Sequence, residues 1–189
     1  WFKWGTFKLS VDSVSHSGKF AGKIESSGKG GQFGSIAYKI PANYQGKSIQ
    51  LEGFMKIRKV EKGFAGLLLR VDGNGKSLVF DNMQKQSING TLDWEKYTIT
   101  LPYPEDAYNI FVAGILVGKG EAWFDDFTLT IDGENIQSLK EVEKQVFKAN
   151  LDNEFDSGSG LELPELTNEL ISNLELLGRV WVFLKYHHP

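Results

Sequence analysis

Cysteine is absent from this sequence of 189 residues. Its absence excludes disulfide frameworks, cysteine-bound zinc sites and thiol nucleophiles. No apolar run approaches the ~20 residues that a membrane-spanning helix needs, and the first ten residues lack the regions of a signal peptide. The net charge of −3 offers no basic surface for a phosphate backbone, so nucleic acid is not an expected partner.

Helical periodicity is scarce before Gly133, where the sequence consists of short alternating runs separated by Gly, Asn and Asp. This pattern is typical of an all-β domain, and nine runs at a spacing near a dozen residues predict a sandwich or barrel. We expect a mainly β fold, a jelly-roll β-sandwich with a C-terminal helical extension. The nine predicted strands are Thr6 to Val14, Lys19 to Ser26, Gln32 to Ile40, Ser48 to Lys59, Gly63 to Val71, Lys76 to Met83, Trp94 to Leu101, Tyr108 to Val117 and Ala122 to Ile131.

The character of the sequence changes after Gly133. A capping-box spacing between Ser138 and Glu141 predicts a helix from Ser138 to about Leu151. A polar, glycine-bearing linker follows, and then leucines recur at helical spacing up to the C-terminus. We therefore divide the chain into a jelly-roll sandwich over residues 1–134, a helix and linker over 135–160, and an amphipathic helix over 161–189.

Several strands are apolar on both faces, which indicates either that both faces are covered or that one face binds a ligand. We infer that one sheet has an outer face mixing Phe54, Leu68, Phe80 and Val112 with Arg58, Arg70, Asp72 and Asn82. One interpretation is that the C-terminal helices or a neighbouring domain cover this face. The other is a ligand groove, in which rings stack on sugars and polar groups bind hydroxyls. The candidate ligand-binding residues are Phe54, Arg58, Arg70, Asp72 and Asn82.

Two tryptophans near the N-terminus fall outside the predicted strands. Trp1 and Trp4 either contact sugar or are what is left of a clipped first strand.

Adjacent acids interrupt the last predicted strand. Parity places Asp125 on the same face as Trp123 and Phe127, and so predicts that Asp125 points inward while Asp126 faces solvent. An ionised carboxylate beside a core needs a partner. The first interpretation is that backbone amides or a hydroxyl satisfy it, and the second is that it binds a structural calcium ion; no other cofactor is implied. A catalytic role is the third, because spacing alone places no second acid, His or nucleophile beside it.

Two stretches resemble known families. The segment "GTLDWEKYTITLPYPEDAYNIFVAGILVGKGEAWFDDFTLTIDG" resembles the last strands of jelly-roll modules of the galactose-binding or carbohydrate-binding type. The segment "ISNLELLGRVWVFLKYHHP" is similar to the opening helix of the C-terminal-processing, or tail-specific, serine peptidases. In a bacterial subgroup of that family, a jelly-roll domain, a linker and this helix precede the peptidase core.

The resemblance implies a non-catalytic accessory module of a secreted serine peptidase, one that positions substrate or supports the downstream peptidase domain of the same chain. It implies a periplasmic or extracellular location, and the start at Trp1 favours a processed or truncated chain. No catalytic residue is assigned within these residues. The alternative is a carbohydrate-binding module that recognises a glycan through the mixed aromatic and arginine face; peptide is the other ligand considered.

Overall fold

The computed structural model describes residues 1–26, 32–142, 158, 160 and 165–187. Within these residues the chain forms eleven β-strands, one 3-10 turn at Gln84–Gln86 and one α-helix. The elements are β1 Phe2–Gly5, β2 Lys8–Asp12, β3 Ala21–Glu25, β4 Phe33–Pro41, β5 Ser48–Glu61, β6 Ala65–Asp72, β7 Ser77–Asp81, β8 Gly90–Pro102, β9 Asn109–Val117, β10 Lys119–Ile131, β11 Glu134–Asn135 and α1 Asn168–His187.

The strands form two antiparallel sheets. Sheet A has the order β1-β4-β9-β6-β7, and sheet B has the order β2-β3-β10-β5-β8, with β11 paired to β10. All nine predicted strands are present, which confirms the mainly β prediction, whereas β1 and β11 were not predicted. The finer jelly-roll assignment stays a prediction.

The core lies between the two sheets and is built by alternation along each strand. On β5, Ile49, Leu51, Met55 and Ile57 point inward and are at most 1% exposed. The inward position between Leu51 and Met55 is Gly53, where a Cβ atom would stand 2.4 Å from Cδ1 of Phe127. Glycine is needed here because the Phe127 ring packs directly on the backbone of β5.

A β-bulge in β10 corrects the predicted inward direction of Asp125. The register with β5 shifts between Asp125 and Thr128, and Asp126 has φ 51°, in the left-handed region. A bulge places an extra residue on one strand, so the alternation reverses across it. Phe124 before the bulge and Leu129 after it both face the core, whereas Asp125 lies on the outer face of sheet B.

The helix predicted from Ser138 does not begin there. Residues Ser138 to Val142 form a turn, a bend and irregular chain, and the remainder of the predicted helix lies outside the described residues. The Ser138 hydroxyl donates to the carbonyl of Asn135, Leu139 packs against the core, and the Val142 N–H donates to the carbonyl of Asn43. These contacts hold the segment against the sandwich, so the capping pattern is overridden.

The chain divides into two compact units, Trp1–Lys144 and Gln145–Pro189. The second unit contains the predicted amphipathic helix as α1, whose apolar side chains include Leu177 and Trp181, 63% and 58% exposed. The predicted linker lies outside the described residues apart from Gly158 and Gly160. Among the described residues, no helix has the length and apolar character that crossing a membrane requires.

Candidate functional site

The outer face of sheet A carries a row of aromatic rings, which we call the aromatic face: Phe2, Trp4, Phe33, Phe64, Phe80 and Phe111. The rings of Phe2 and Trp4 lie 5.2 Å apart, and those of Trp4 and Phe111 lie 5.4 Å apart. Three members are exposed: Phe2 at 38%, Phe33 at 43% and Phe80 at 51%. Large exposed rings on one face of a sheet mark a surface that can contact a ligand.

Small and branched side chains make the floor of this face. Ala37 of β4 and Ala113 of β9 are fully buried, and Leu68 and Ile115 are nearly so. Ser35, which pairs with Trp4 across β1 and β4, is also fully buried, and its Oγ has no hydrogen-bond partner among the described residues. A buried hydroxyl without a partner is costly and needs an explanation.

Arg70 and Asp72 bring charge to the same face. Arg70 Nε and one terminal nitrogen donate to the two oxygens of Asp72, each at 2.6 Å, and the guanidinium lies 5.6 Å from the ring of Phe111. The side chain of Arg70 is 40% exposed, and that of Asp72 is 14% exposed. The Asp72 hydrogen bonds raise the pKa of Arg70, so the guanidinium stays charged and keeps further donors for a ligand.

The outer face of sheet B contains a tryptophan that is already covered. Trp123 is only 3% exposed: Lys23 Nζ lies 4.9 Å from its ring, and Arg58 lies 5.3 Å from it. Its indole N–H donates to Asp12 at 3.1 Å. Glu121 accepts from Arg58 and, at 2.6 Å, from Lys23, and these hydrogen bonds hold the pKa of Glu121 below its usual value. The charged side chains around Trp123 are therefore paired with one another.

A loop folds over a second aromatic ring on the outer face of sheet B, that of Phe54. The imidazole of His16 stacks on Phe54 with the ring centroids 3.5 Å apart, and it lies 5.9 Å from Trp94. Asp126 holds this loop through the Ser17 hydroxyl at 2.6 Å and His16 Nδ1 at 2.7 Å, and these contacts, that of Ser17 first, lower the pKa of Asp126. The face of Phe54 is therefore occupied by the protein itself.

The predicted ligand-binding residues are divided between the two sheets, which corrects the expectation of one mixed face. Arg70 and Asp72 lie on the outer face of sheet A, and Asn82 follows β7 and accepts the Gln84 N–H at 3.1 Å. Phe54 and Arg58 lie on the outer face of sheet B. Val112, also placed on that face from the sequence, is buried in the core. Parity gives the faces of a strand but not the sheet to which the strand belongs.

Asp125 behaves as a tethered structural group. Its Oδ2 accepts the N–H groups of His16 at 2.9 Å and Ser17 at 3.1 Å, and its Oδ1 accepts the N–H of Asp126 at 2.9 Å. This arrangement matches the first interpretation, a carboxylate satisfied by backbone amides. Within the described ranges, no group of three or more His, Cys, Asp or Glu side chains could hold a metal ion. The calcium site at Asp125 stays a prediction.

The ring of Phe111 was not predicted as a site residue, and Trp4 was predicted, with Trp1, either to contact sugar or to be left from a clipped first strand. The alternation of Phe2 and Trp4 was a signal for β1, and the apolar character of both faces of β9 was a signal for Phe111. What the sequence could not supply is that β1 and β9 both pair with β4, which brings the two rings together.

No protein-family model matches this chain. The chain is 32% identical over 137 residues to the uncharacterized HTH-type transcriptional regulator YbfP of Bacillus subtilis (strain 168). The match covers 70% of this chain and 46% of that protein, so the chain spans less than half of the relative's length.

Several solved structures are similar in fold. The enzymatically active domain of bacteriophage CBA120 tailspike protein 4 matches with a TM-score of 0.53 and 13% identity, over 68% of this chain and 18% of that one. A family 16 carbohydrate-binding module matches with a TM-score of 0.49 and 14% identity, over 66% and 86%. The module TmCBM61, solved with beta-1,4-galactotriose, matches with 0.44 and 14% identity, over 68% and 88%. Identities this low show a likeness of fold alone.

Proposed function

We propose that the β-sandwich is a non-catalytic module that binds carbohydrate through the aromatic face of sheet A. The observation that carries the proposal is the set of exposed rings on this face beside the fixed Arg70–Asp72 pair. Such a face combines an apolar platform with a small number of polar groups, which is how sites for small polar molecules are built.

The chemistry of the face suits a sugar. A pyranose ring presents apolar C–H groups on its faces and hydroxyls at its edge, so it can stack on Phe80 or Phe2 while its hydroxyls meet polar side chains. Arg70 keeps donors beyond the two that Asp72 takes, and the Asp72 oxygens are held in place by the same pair. The arginine is thus a fixed donor group beside the aromatic platform.

A recognition module fits either kind of larger protein that the sequence points to. The tail-specific peptidase context rests on the resemblance of residues 171–189, and with it goes the expectation of a periplasmic or extracellular location. The relative named as a transcriptional regulator points to another context, in which a binding module would sense a ligand. Both contexts need recognition from the sandwich, and neither needs catalysis from it.

The proposal is tested by titrating the protein with a panel of neutral oligosaccharides in an isothermal titration calorimeter. We expect at least one glycan to bind, and we expect Phe80→Ala and Phe2→Ala each to weaken that binding by roughly tenfold, because each removes an exposed stacking ring. Both rings are exposed enough for the variants to stay folded, which thermal melting would check.

The matched control is Phe54→Ala on sheet B. Its ring is covered by His16, so glycan affinity should not change. Loss of binding in Phe54→Ala with unchanged binding in Phe80→Ala would move the site to the other sheet, and flat titrations across the panel would refute carbohydrate binding. If the protein instead binds unstructured peptides, support of a peptidase becomes the better-supported function.

A further inference from the structure

A row of side chains runs across the strands on the outer face of sheet A. Arg70 of β6 pairs with Phe80 of β7 on one side and with Phe111 of β9 on the other, and Phe111 pairs with Lys39 of β4. Residues directly opposite each other on neighbouring strands project from the same face of a sheet. The row therefore alternates aromatic rings with cations, in the order Phe80, Arg70, Phe111 and Lys39.

The strand order sets the spacing of the two cations. Neighbouring strands lie about 4.8 Å apart, and β9 lies between β6 and β4, so the backbones of Arg70 and Lys39 are roughly 10 Å apart. The exposed rings of Phe80 and Phe2 belong to β7 and β1, the two edge strands of the sheet. A chain molecule that lies across the strands from one exposed ring to the other must therefore pass both cations.

Lys39 differs from Arg70 in having its charge available. Arg70 is paired with Asp72, whereas Lys39 is exposed, and within the described part of the chain no carboxylate lies at ion-pair distance from it. Lysine carries its ammonium group on a flexible four-carbon stem, so the group can move to meet a ligand that rests on the neighbouring Phe111 ring. A bound anion is thus a natural partner for Lys39.

The charge balance also distinguishes this face from that of sheet B. Among the described strand positions that point outward on sheet A, the charged residues are two cations, Lys39 and Arg70, and one carboxylate, Asp72. This positive excess belongs to a protein of net charge −3. An anion is therefore attracted to sheet A and not to sheet B, whose ion pairs join four Lys or Arg side chains to five carboxylates: Asp12, Glu25, Glu52, Asp93 and Glu121.

We infer that the ligand of the aromatic face is an acidic oligosaccharide, a chain that contains uronic acid units. The inference rests on the proposed carbohydrate-binding function and adds the charge of the ligand to it. Sugar rings stack on Phe80 and Phe2, one carboxylate of the chain meets Lys39, and another accepts from the donors of Arg70 that Asp72 does not use. Lys39 is then the residue that favours acidic over neutral glycans.

Oligogalacturonates and oligomannuronates provide the test, each compared with its own methyl ester, because esterification removes the charge and keeps the sugar. We expect at least one of the acids to bind roughly tenfold more tightly than its ester in calorimetric titrations, since only the acid forms charge-assisted hydrogen bonds with Arg70 and Lys39. This difference should shrink as salt is added, because salt screens charges at an exposed surface.

Lys39→Gln tests the residue that carries the inference. It should weaken binding of the acid by about fivefold, the upper end for an exposed ion pair, and leave binding of the ester unchanged. Because Lys39 is exposed, the variant should melt as the parent protein does. The matched control is Lys96→Gln, which removes the same charge from the outer face of sheet B, where Lys96 pairs with Glu52 at 2.8 Å. It should leave both affinities unchanged.

The outcomes separate this inference from the function on which it rests. If the esters or the neutral glycans bind as tightly as the acids, or if Lys39→Gln and Lys96→Gln have equal effects, the acidic ligand is overturned and carbohydrate binding stands. If no glycan binds, whether neutral or acidic, the proposed function itself is refuted.

Discussion

The two outer faces of the sandwich contain similar side chains and use them differently. Each has aromatic rings, an arginine and a carboxylate. On sheet B, Trp123 is 3% exposed under Lys23 and Arg58, and His16 lies on Phe54. On sheet A, the most exposed ring is that of Phe80, at 51%. The presence of aromatic and charged side chains therefore does not identify a ligand-binding face. On one face these side chains contact one another, and on the other they stay exposed to solvent.

The largest effect that separates the two faces is expected from removing one ring on each. Trp123→Ala should lower the free energy of unfolding by about 3 kcal/mol, because it removes a buried indole together with the hydrogen bond from the indole N–H to Asp12 Oδ2. Phe80→Ala should change it by less than about 0.5 kcal/mol, as is usual for exposed positions. Urea unfolding followed by tryptophan fluorescence, or by circular dichroism for Trp123→Ala, measures both.

The same two variants can also contradict the proposed difference between the two outer faces. A destabilisation by Phe80→Ala as large as that by Trp123→Ala would mean that the exposed ring on sheet A has a structural role. In that case the aromatic face would be part of the fold, and the carbohydrate proposal would lose its main support.

A smaller effect concerns the loop that covers sheet B. Asp125→Asn replaces a carboxylate that accepts three backbone N–H groups, and it should lower the free energy of unfolding by about 1–2 kcal/mol. Amide hydrogen exchange should accelerate at His16 and Ser17, while the aromatic face of sheet A keeps its glycan affinity. Unchanged exchange at both amides would contradict the anchor role.

The same residue decides the calcium prediction. Because the oxygens of Asp125 are already occupied by amide donors, the melting temperature should be the same with calcium and with chelator. A rise in the midpoint with calcium that is lost in Asp125→Asn would instead establish a structural calcium site.

The sequence predicted local structure well and three-dimensional neighbours poorly. Alternation identified nine strands and the half-exposed character of β8, where Ile99 is buried and Thr100 is exposed. It could not tell that β5 and β6, joined by a short turn, belong to opposite sheets, so Arg58 and Arg70 were assigned to one face. The bulge at Asp126 is a single-residue event that reversed the predicted direction of Asp125. Sheet membership and bulges depend on contacts far apart in sequence, which alternation does not report.

The smallest expected effect is a pH dependence of the free energy of unfolding, which arises from Glu121 on sheet B. The hydrogen bond from Arg58, and then that from Lys23, lower the pKa of Glu121 in the folded protein from an ordinary value of 4.5. The stabilisation is therefore fully present above pH 4.5 and is lost as the pH falls through the folded pKa. At pH 7, Glu121→Gln should lower the free energy of unfolding by about 1 kcal/mol, and this difference should disappear in acid.

Asp93→Asn is the matched control, because Asp93 is 81% exposed and its pair with Lys56 is screened by solvent. If Glu121→Gln is destabilised equally at pH 7 and in acid, the charges of sheet B do not stabilise that face, and the contrast between the two faces reduces to the coverage of their aromatic rings.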